Sequence, residues 1–90
     1  MTLAQLYASV RSGDPATGFT TGDRLRIIRD LKGIRTLHEA ALLIGISSSC
    51  LSAYETDTKL PTVYTLIKIA LAYDVSTDWL LGLSEEMERR

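Results

Sequence analysis

The sequence is short of nearly everything that supports chemistry. One cysteine, Cys50, cannot close an internal disulfide, and with the single histidine, His38, it offers no metal-ligand spacing. There is no glycine-rich phosphate loop. The carboxylates are scattered over positions expected at the surface, with no second apolar wall to perturb them. An enzyme, a metal site and a cofactor are therefore not expected. No apolar run approaches the roughly 20 residues that span a bilayer, and the first residues lack the charged-then-apolar pattern of a secretory signal. The expected setting is a reducing cytoplasm, without a membrane. Excess charge is also missing. A net charge of -1 works against a nucleic-acid partner, because phosphate neutralisation supplies much of such affinity.

Apolar residues make up 46% of the chain, enough for a single small core. No alternating strand pattern, repeat or low-complexity tract is present, so the fold class is all-α. Leu3, Leu6, Tyr7 and Val10 recur at i, i+3, i+4 and i+7, the pattern of a short amphipathic helix over Thr2 to Arg11. Such a helix is too short to persist without a surface to dock on. A linker runs from Ser12 to Gly18. The expected division is 1–18 for docking or dimerisation, 20–83 for the main domain and 84–90 for a charged tail that frays or extends the last helix.

Within the main domain, Thr20 or Thr21 caps a helix to about Lys32, with Leu25, Ile28 and Leu31 inward and Gly33 at its end. Thr36 with Glu39 three residues on makes a capping box. Ala40, Ala41 and Ile44 then share a face, and Gly45 permits a left-handed stop. Ile46 plugs the turn, and Ser47 caps a further helix to Glu55. Pro61 suits the start of a fourth helix to about Tyr73, with Val63, Leu66, Ala70 and Tyr73 as core. Ser76 caps a fifth to about Leu81, where Trp79, Leu80 and Leu83 close the core.

Two short helices joined by a glycine-containing turn can present the second helix to the DNA major groove. Gly33-Ile34, Ala41, Gly45-Ile46-Ser47, Leu51-Ser52, Tyr54-Glu55, Pro61-Thr62 and Leu80-Leu81-Gly82 fall in the order of a lambda-repressor-like (Cro-type, XRE-type) helix-turn-helix domain. The resemblance covers about Asp23 to Leu83. It implies a five-helix bundle, here with an extra N-terminal helix, that binds double-stranded DNA as a homodimeric transcriptional repressor.

The same resemblance assigns positions. Arg35, Thr36 and Leu37 lie where the family meets the phosphate backbone; the family commonly has Gln at the Leu37 position. Ser47, Ser48, Ser49, Ser52 and Ala53 lie on its reading helix, and Thr58 and Lys59 in its following loop. Arg29 and Glu55 occupy positions that often form a partly buried ion pair. Serine and alanine are poor in bidentate contacts, so readout leans on DNA shape and water. Asp57 would repel phosphate in this reading. The basic residues concentrate before Thr36, at Arg11, Arg24, Arg26, Arg29, Lys32 and Arg35. Arg24, Arg26 and Arg35 are the cations expected to help reach the backbone.

Leu42 and Leu43 fall away from the centre of the second helix's apolar face, and Tyr64, Ile67 and Leu71 form a second stripe on the fourth. Apolar residues outside the core need cover. With Leu3, Leu6, Tyr7 and Val10, these are the interface candidates. The alternative function is an antitoxin-like or accessory protein-interaction module that retains the fold.

Overall fold

Every helix of the computed structural model, which describes residues 19–89, begins on a hydroxyl. Thr20, Thr36, Ser47, Thr62 and Ser76 each accept a hydrogen bond from the backbone N–H three residues on. Each such cap is worth about 1 kcal/mol. The helices they open are α1 (Thr21–Leu31), α2 (Leu37–Ile44), α3 (Ser48–Glu55), α4 (Val63–Tyr73) and α5 (Thr77–Leu80). No strand occurs among the described residues. The helix expected from Leu3, Leu6, Tyr7 and Val10 lies outside the described residues. The reciprocal capping box closes at Thr20 and Asp23. At Thr36 only the forward arm, from the Glu39 N–H, is made.

The helices pack as two interlocking groups: α1 lies on α3 and α5, α2 on α3 and α4, and α4 on α5. Leu25 of α1, Leu51 of α3, Ile69 of α4 and Leu80 of α5 are fully buried where these groups meet. Ala40, Ala41 and Ile44 seal α2 against them, and the small alanines let its backbone approach closely. Tyr73 is buried to its hydroxyl, which has no hydrogen-bond partner among the described residues. Burial, helped by the nearby Glu55 charge, pushes its pKa up to about 12.

Three residues expected in the core are outside it. Leu31 is 64% exposed, Val63 76% and Leu83 52%. Leu25, Ile28 and Leu31 follow a strict three-residue step. Each step turns the helix about 300°, so Leu31 has drifted about 120° from Leu25. Val63 stands in the first turn of α4, where Leu66, Ile69, Ala70 and Tyr73 form the buried face instead. Ile69 and Val75, both buried, were not singled out from the sequence.

The charged tail neither frays nor extends α5. It turns back onto the α4–α5 corner, where the Ser76 N–H donates to the Met87 carbonyl at 2.7 Å and the Ser76 hydroxyl to the Glu86 carbonyl at 3.0 Å. Met87 packs on the core, and Arg89 pairs with Asp74 at 3.0 Å.

Gly22 sets how closely α1 meets the end of α3. A Cβ there would lie 2.6 Å from the Glu55 carbonyl oxygen and 2.8 Å from that of Tyr54. Backbone atoms cannot swing aside. Gly22→Ala is expected to destabilise the fold by about 1–3 kcal/mol or more, as overpacking does. Chemical denaturation checks this; an unchanged midpoint contradicts the close approach.

Candidate nucleic-acid interface

The α2–turn–α3 unit is built from its corner outward. Gly45 sits at φ 90°, a left-handed conformation that costs glycine nothing. There the Ala41 carbonyl accepts both the Gly45 N–H at 2.8 Å and the Ile46 N–H at 3.0 Å. Ile46 is half-buried and packs on the core from the turn. Lys68 of α4 closes the corner from outside, its Nζ donating to the Gly45 carbonyl at 3.4 Å.

Leu51 and Tyr54 anchor α3 inward, and Cys50 packs beside them, half-buried. The Cys50 side chain next to the Tyr54 hydroxyl holds that tyrosine above its ordinary pKa, with burial adding to the effect. The opposite face carries Ser48, Ser49, Ser52 and Ala53. Ser49 is exposed and the other three are half-buried. Among the described residues the hydroxyls of Ser48, Ser49 and Ser52 are engaged in no hydrogen bond, whereas Ser47 spends its hydroxyl on the Cys50 N–H. The face is small, polar and uncommitted.

The end of α3 is gripped by α1. Arg29 holds Glu55 in a fork, Nε to Oε2 at 2.9 Å and Nη2 to Oε1 at 3.0 Å. The Glu55 side chain is 5% exposed and that of Arg29 19%. Nη1 of Arg29 also reaches the Arg35 carbonyl at 3.2 Å, so one side chain ties together α1, the approach to α2 and the last turn of α3. The hydrogen bond to Glu55 raises the Arg29 pKa above its ordinary value.

Arg35, Thr36, Thr58 and Lys59 are exposed, and Leu37 is half-buried against the core. His38 is exposed in the first turn of α2. The backbone N–H groups of that turn remain open to an anion, apart from the Glu39 N–H taken by Thr36.

One of the charge expectations needs correction. Arg24 does not face outward: it is 2% exposed, with its guanidinium 5.1 Å from the Trp79 ring centre, a cation–π contact inside the domain. Asp57 is exposed, and its carboxylate is engaged within the chain. Its carboxylate accepts the Gly22 N–H at 2.9 Å and the Thr20 hydroxyl at 2.5 Å. Arg26 is exposed but pairs with Asp23. The Asp23 carboxylate is held below its usual pKa chiefly by the Thr20 N–H; burial opposes this, and the hydrogen bond from Arg26 adds to the lowering. Of the exposed cations described on α1 and its approach to α2, Lys32 and Arg35 form no ion pair among the described residues. The composition gave no hint of this, because it counts charges without showing which ones face each other.

The helix-turn-helix family matches residues 25–80. Two proteins of Bacillus subtilis (strain 168) are similar to part of the chain. The uncharacterized HTH-type transcriptional regulator YobD is 38% identical over 63 residues, which is 70% of this chain and 55% of YobD. The HTH-type transcriptional regulator ImmR is 44% identical over 64 residues, 71% of this chain and 50% of ImmR. The chain thus spans about half the length of these curated relatives. No solved structure matches.

The Arg29–Glu55 fork supplies a test of how the end of α3 is held. Glu55→Ala strands a mostly buried guanidinium and is expected to cost about 3–5 kcal/mol. The double change Arg29→Ala with Glu55→Ala should cost less than the sum of the two single changes. Additive losses would mean that the two charges act independently.

Proposed function

The chain belongs to the helix-turn-helix family, and on that premise we propose that it is a sequence-specific, DNA-binding transcriptional regulator, a homodimeric repressor of the cytoplasm that needs no cofactor or metal and catalyses nothing. Helix α3 is its reading helix. The observation that carries this is the outward face of Ser48, Ser49, Ser52 and Ala53, held at a fixed angle on a packed bundle with free hydroxyls.

Each part has a task. Ser48, Ser49 and Ser52 donate to or accept from base edges, and the Ala53 methyl lies against a thymine methyl. Phosphates are met on two sides of the groove. The N-terminus of α2, with Arg35, Thr36 and Leu37, takes one, and Thr58 and Lys59 the other. Two chains place their reading helices in successive major grooves, about 34 Å apart, and occupancy excludes polymerase. No helix among the described residues is long and apolar enough to cross a membrane.

Self-association has a surface suited to it. Val63, Tyr64, Ile67 and Leu71 are all exposed on one side of α4, and Ile67 and Leu71 border an open groove of about 570 Å³. Leu42 and Leu43 of α2, 68% and 55% exposed, form a second patch. The segment Met1 to Gly18, with Leu3, Leu6, Tyr7 and Val10, is assigned to the same role.

Two measurements test the proposal. In an electrophoretic mobility assay with genomic fragments, retention should be clear at low salt and fall steeply as salt rises, because each phosphate neutralised contributes a slope of about -0.9. Indifference to DNA at low salt would reject this reading in favour of a protein-interaction module. In sedimentation, Leu71→Glu should shift the protein toward monomer while its helical content is kept. A dimer unaffected by Leu71→Glu and by Leu42→Glu with Leu43→Glu would place the self-association surface elsewhere.

A further inference from the structure

We infer that Asp57 is the positioning residue for the loop after the reading helix: it caps α1 and so holds Thr58 and Lys59 toward DNA, and it does not act as a charge that repels phosphate. The inference rests on the DNA-binding reading above.

The geometry is specific. Asp57 has φ 59°, in the left-handed region that few residues other than glycine enter; aspartate is one that does. That turn points its carboxylate back at the start of α1. Both oxygens are engaged there, Oδ1 by the Gly22 N–H at 2.9 Å and Oδ2 by the Thr20 hydroxyl at 2.5 Å. The Gly22 N–H is one of those that a helix start leaves without an intrahelical partner. A negative charge at that end is also favoured by the helix dipole. The Asp57 charge therefore faces the positive end of a helix in its own chain.

The rest of the loop follows from that anchor. The Thr58 N–H donates to the Ala53 carbonyl at 2.9 Å, and the Lys59 N–H reaches the same oxygen at 3.2 Å. The Thr56 and Thr58 hydroxyls share a hydrogen bond at 2.9 Å. These bonds close the backbone over the end of α3, and Asp57 pins the closed loop to α1. Lys59, the sole cation between Thr36 and Thr62, leaves the loop two residues later. Without the anchor, that charge is spread over many directions.

The repulsion reading and the positioning reading predict opposite signs. If Asp57 repels phosphate, Asp57→Asn and Asp57→Ala each remove the charge and each tighten DNA binding. If it positions the loop, Asp57→Ala weakens binding although a negative charge is gone. Asp57→Asn keeps an oxygen for the Gly22 N–H and tolerates the left-handed turn, so it binds at least as well as the wild type.

The test uses fluorescence anisotropy of the full chain with a fluorescein-labelled duplex of mixed sequence about three helical turns long. Measurements run at several salt concentrations, below the unfolding midpoint of every variant. For Asp57→Ala the expected result is a loss of several-fold and a salt slope smaller by about one phosphate contact. Lys59→Ala should give the same change, and the double variant little more than either alone. Tighter binding by both Asp57 variants, or additive losses with Lys59→Ala, would overturn the inference. A readout without DNA accompanies it: amide hydrogen exchange at Thr58 and Lys59 in the free protein should speed up in Asp57→Ala and return toward wild type in Asp57→Asn. Unchanged exchange in Asp57→Ala overturns the positioning role even if DNA is bound. Failure of the wild type to bind any duplex, with exchange as expected, would instead fault the DNA-binding reading and leave the loop anchor standing.

Discussion

The seam between α1 and the last turn of α3 is what the orientation of the proposed reading helix depends on. Gly22 brings the start of α1 onto the carbonyls of Tyr54 and Glu55, and Arg29, two turns further along, forks onto the Glu55 carboxylate. The two contacts are of different kinds. The first is steric and fixes a distance. The second is planar and directional, and fixes an angle. Burying these charges costs desolvation that the pairing roughly offsets, so the fork adds little net stability. A bidentate pair does constrain geometry, because both hydrogen bonds are lost if α3 rolls about its axis. Helix α1 thus holds the helix that carries the proposed reading face.

The charge of the chain is organised in the same way. Arg24 lies over Trp79, Arg26 pairs with Asp23, Arg29 with Glu55, and Asp57 with the start of α1. Several charges that composition counts as free are thus tied into the scaffold. Among the described residues from α1 to the loop after α3, Lys32, Arg35 and Lys59 are exposed cations outside these contacts, and they stand with the backbone N–H groups at the start of α2 as what the proposed reading has to meet a polyanion. A net charge of -1 is therefore a poor guide to the potential near α3, where field depends on which charges are already paired.

Much of this was legible in the chain. Caps are local, so Thr36, Ser47 and Ser76 could be read from their own neighbourhood, as could the stop at Gly45. Long-range pairing was legible only through resemblance; nothing in the spacing of Arg29 and Glu55, 26 residues apart, brings them together. The misplacements have separate causes. Leu31 has rotated off the buried stripe of α1, Val63 stands in the first turn of α4 away from its buried face, and Leu83 lies beyond the end of α5. Ile69 was legible in principle, since Leu66, Ile69, Ala70 and Tyr73 stand at i, i+3, i+4 and i+7. The competing set beginning at Val63 hid it. Arg24 was not legible, because no local rule tells an arginine above an indole from one in water. The bonds from the start of α1 to the Asp57 carboxylate were not legible, because a loop of threonines and charges gives no sign that one residue will turn left-handed.

Short side chains on the proposed reading face connect these points. Serine and alanine cannot reach across a groove, so a helix that carries them must approach the bases closely for any contact to form. Close approach leaves little tolerance in tilt, and a roll that a long arginine could absorb by changing rotamer would break every serine contact together. A reading helix of this composition therefore needs a rigid mount more than one with long side chains does. The mount is where the chain has placed its glycine without room for a Cβ, its buried ion pair and its carboxylate cap. Substitutions along α1 that never touch DNA should then influence recognition as strongly as substitutions on α3, through the angle at which the serine face is presented.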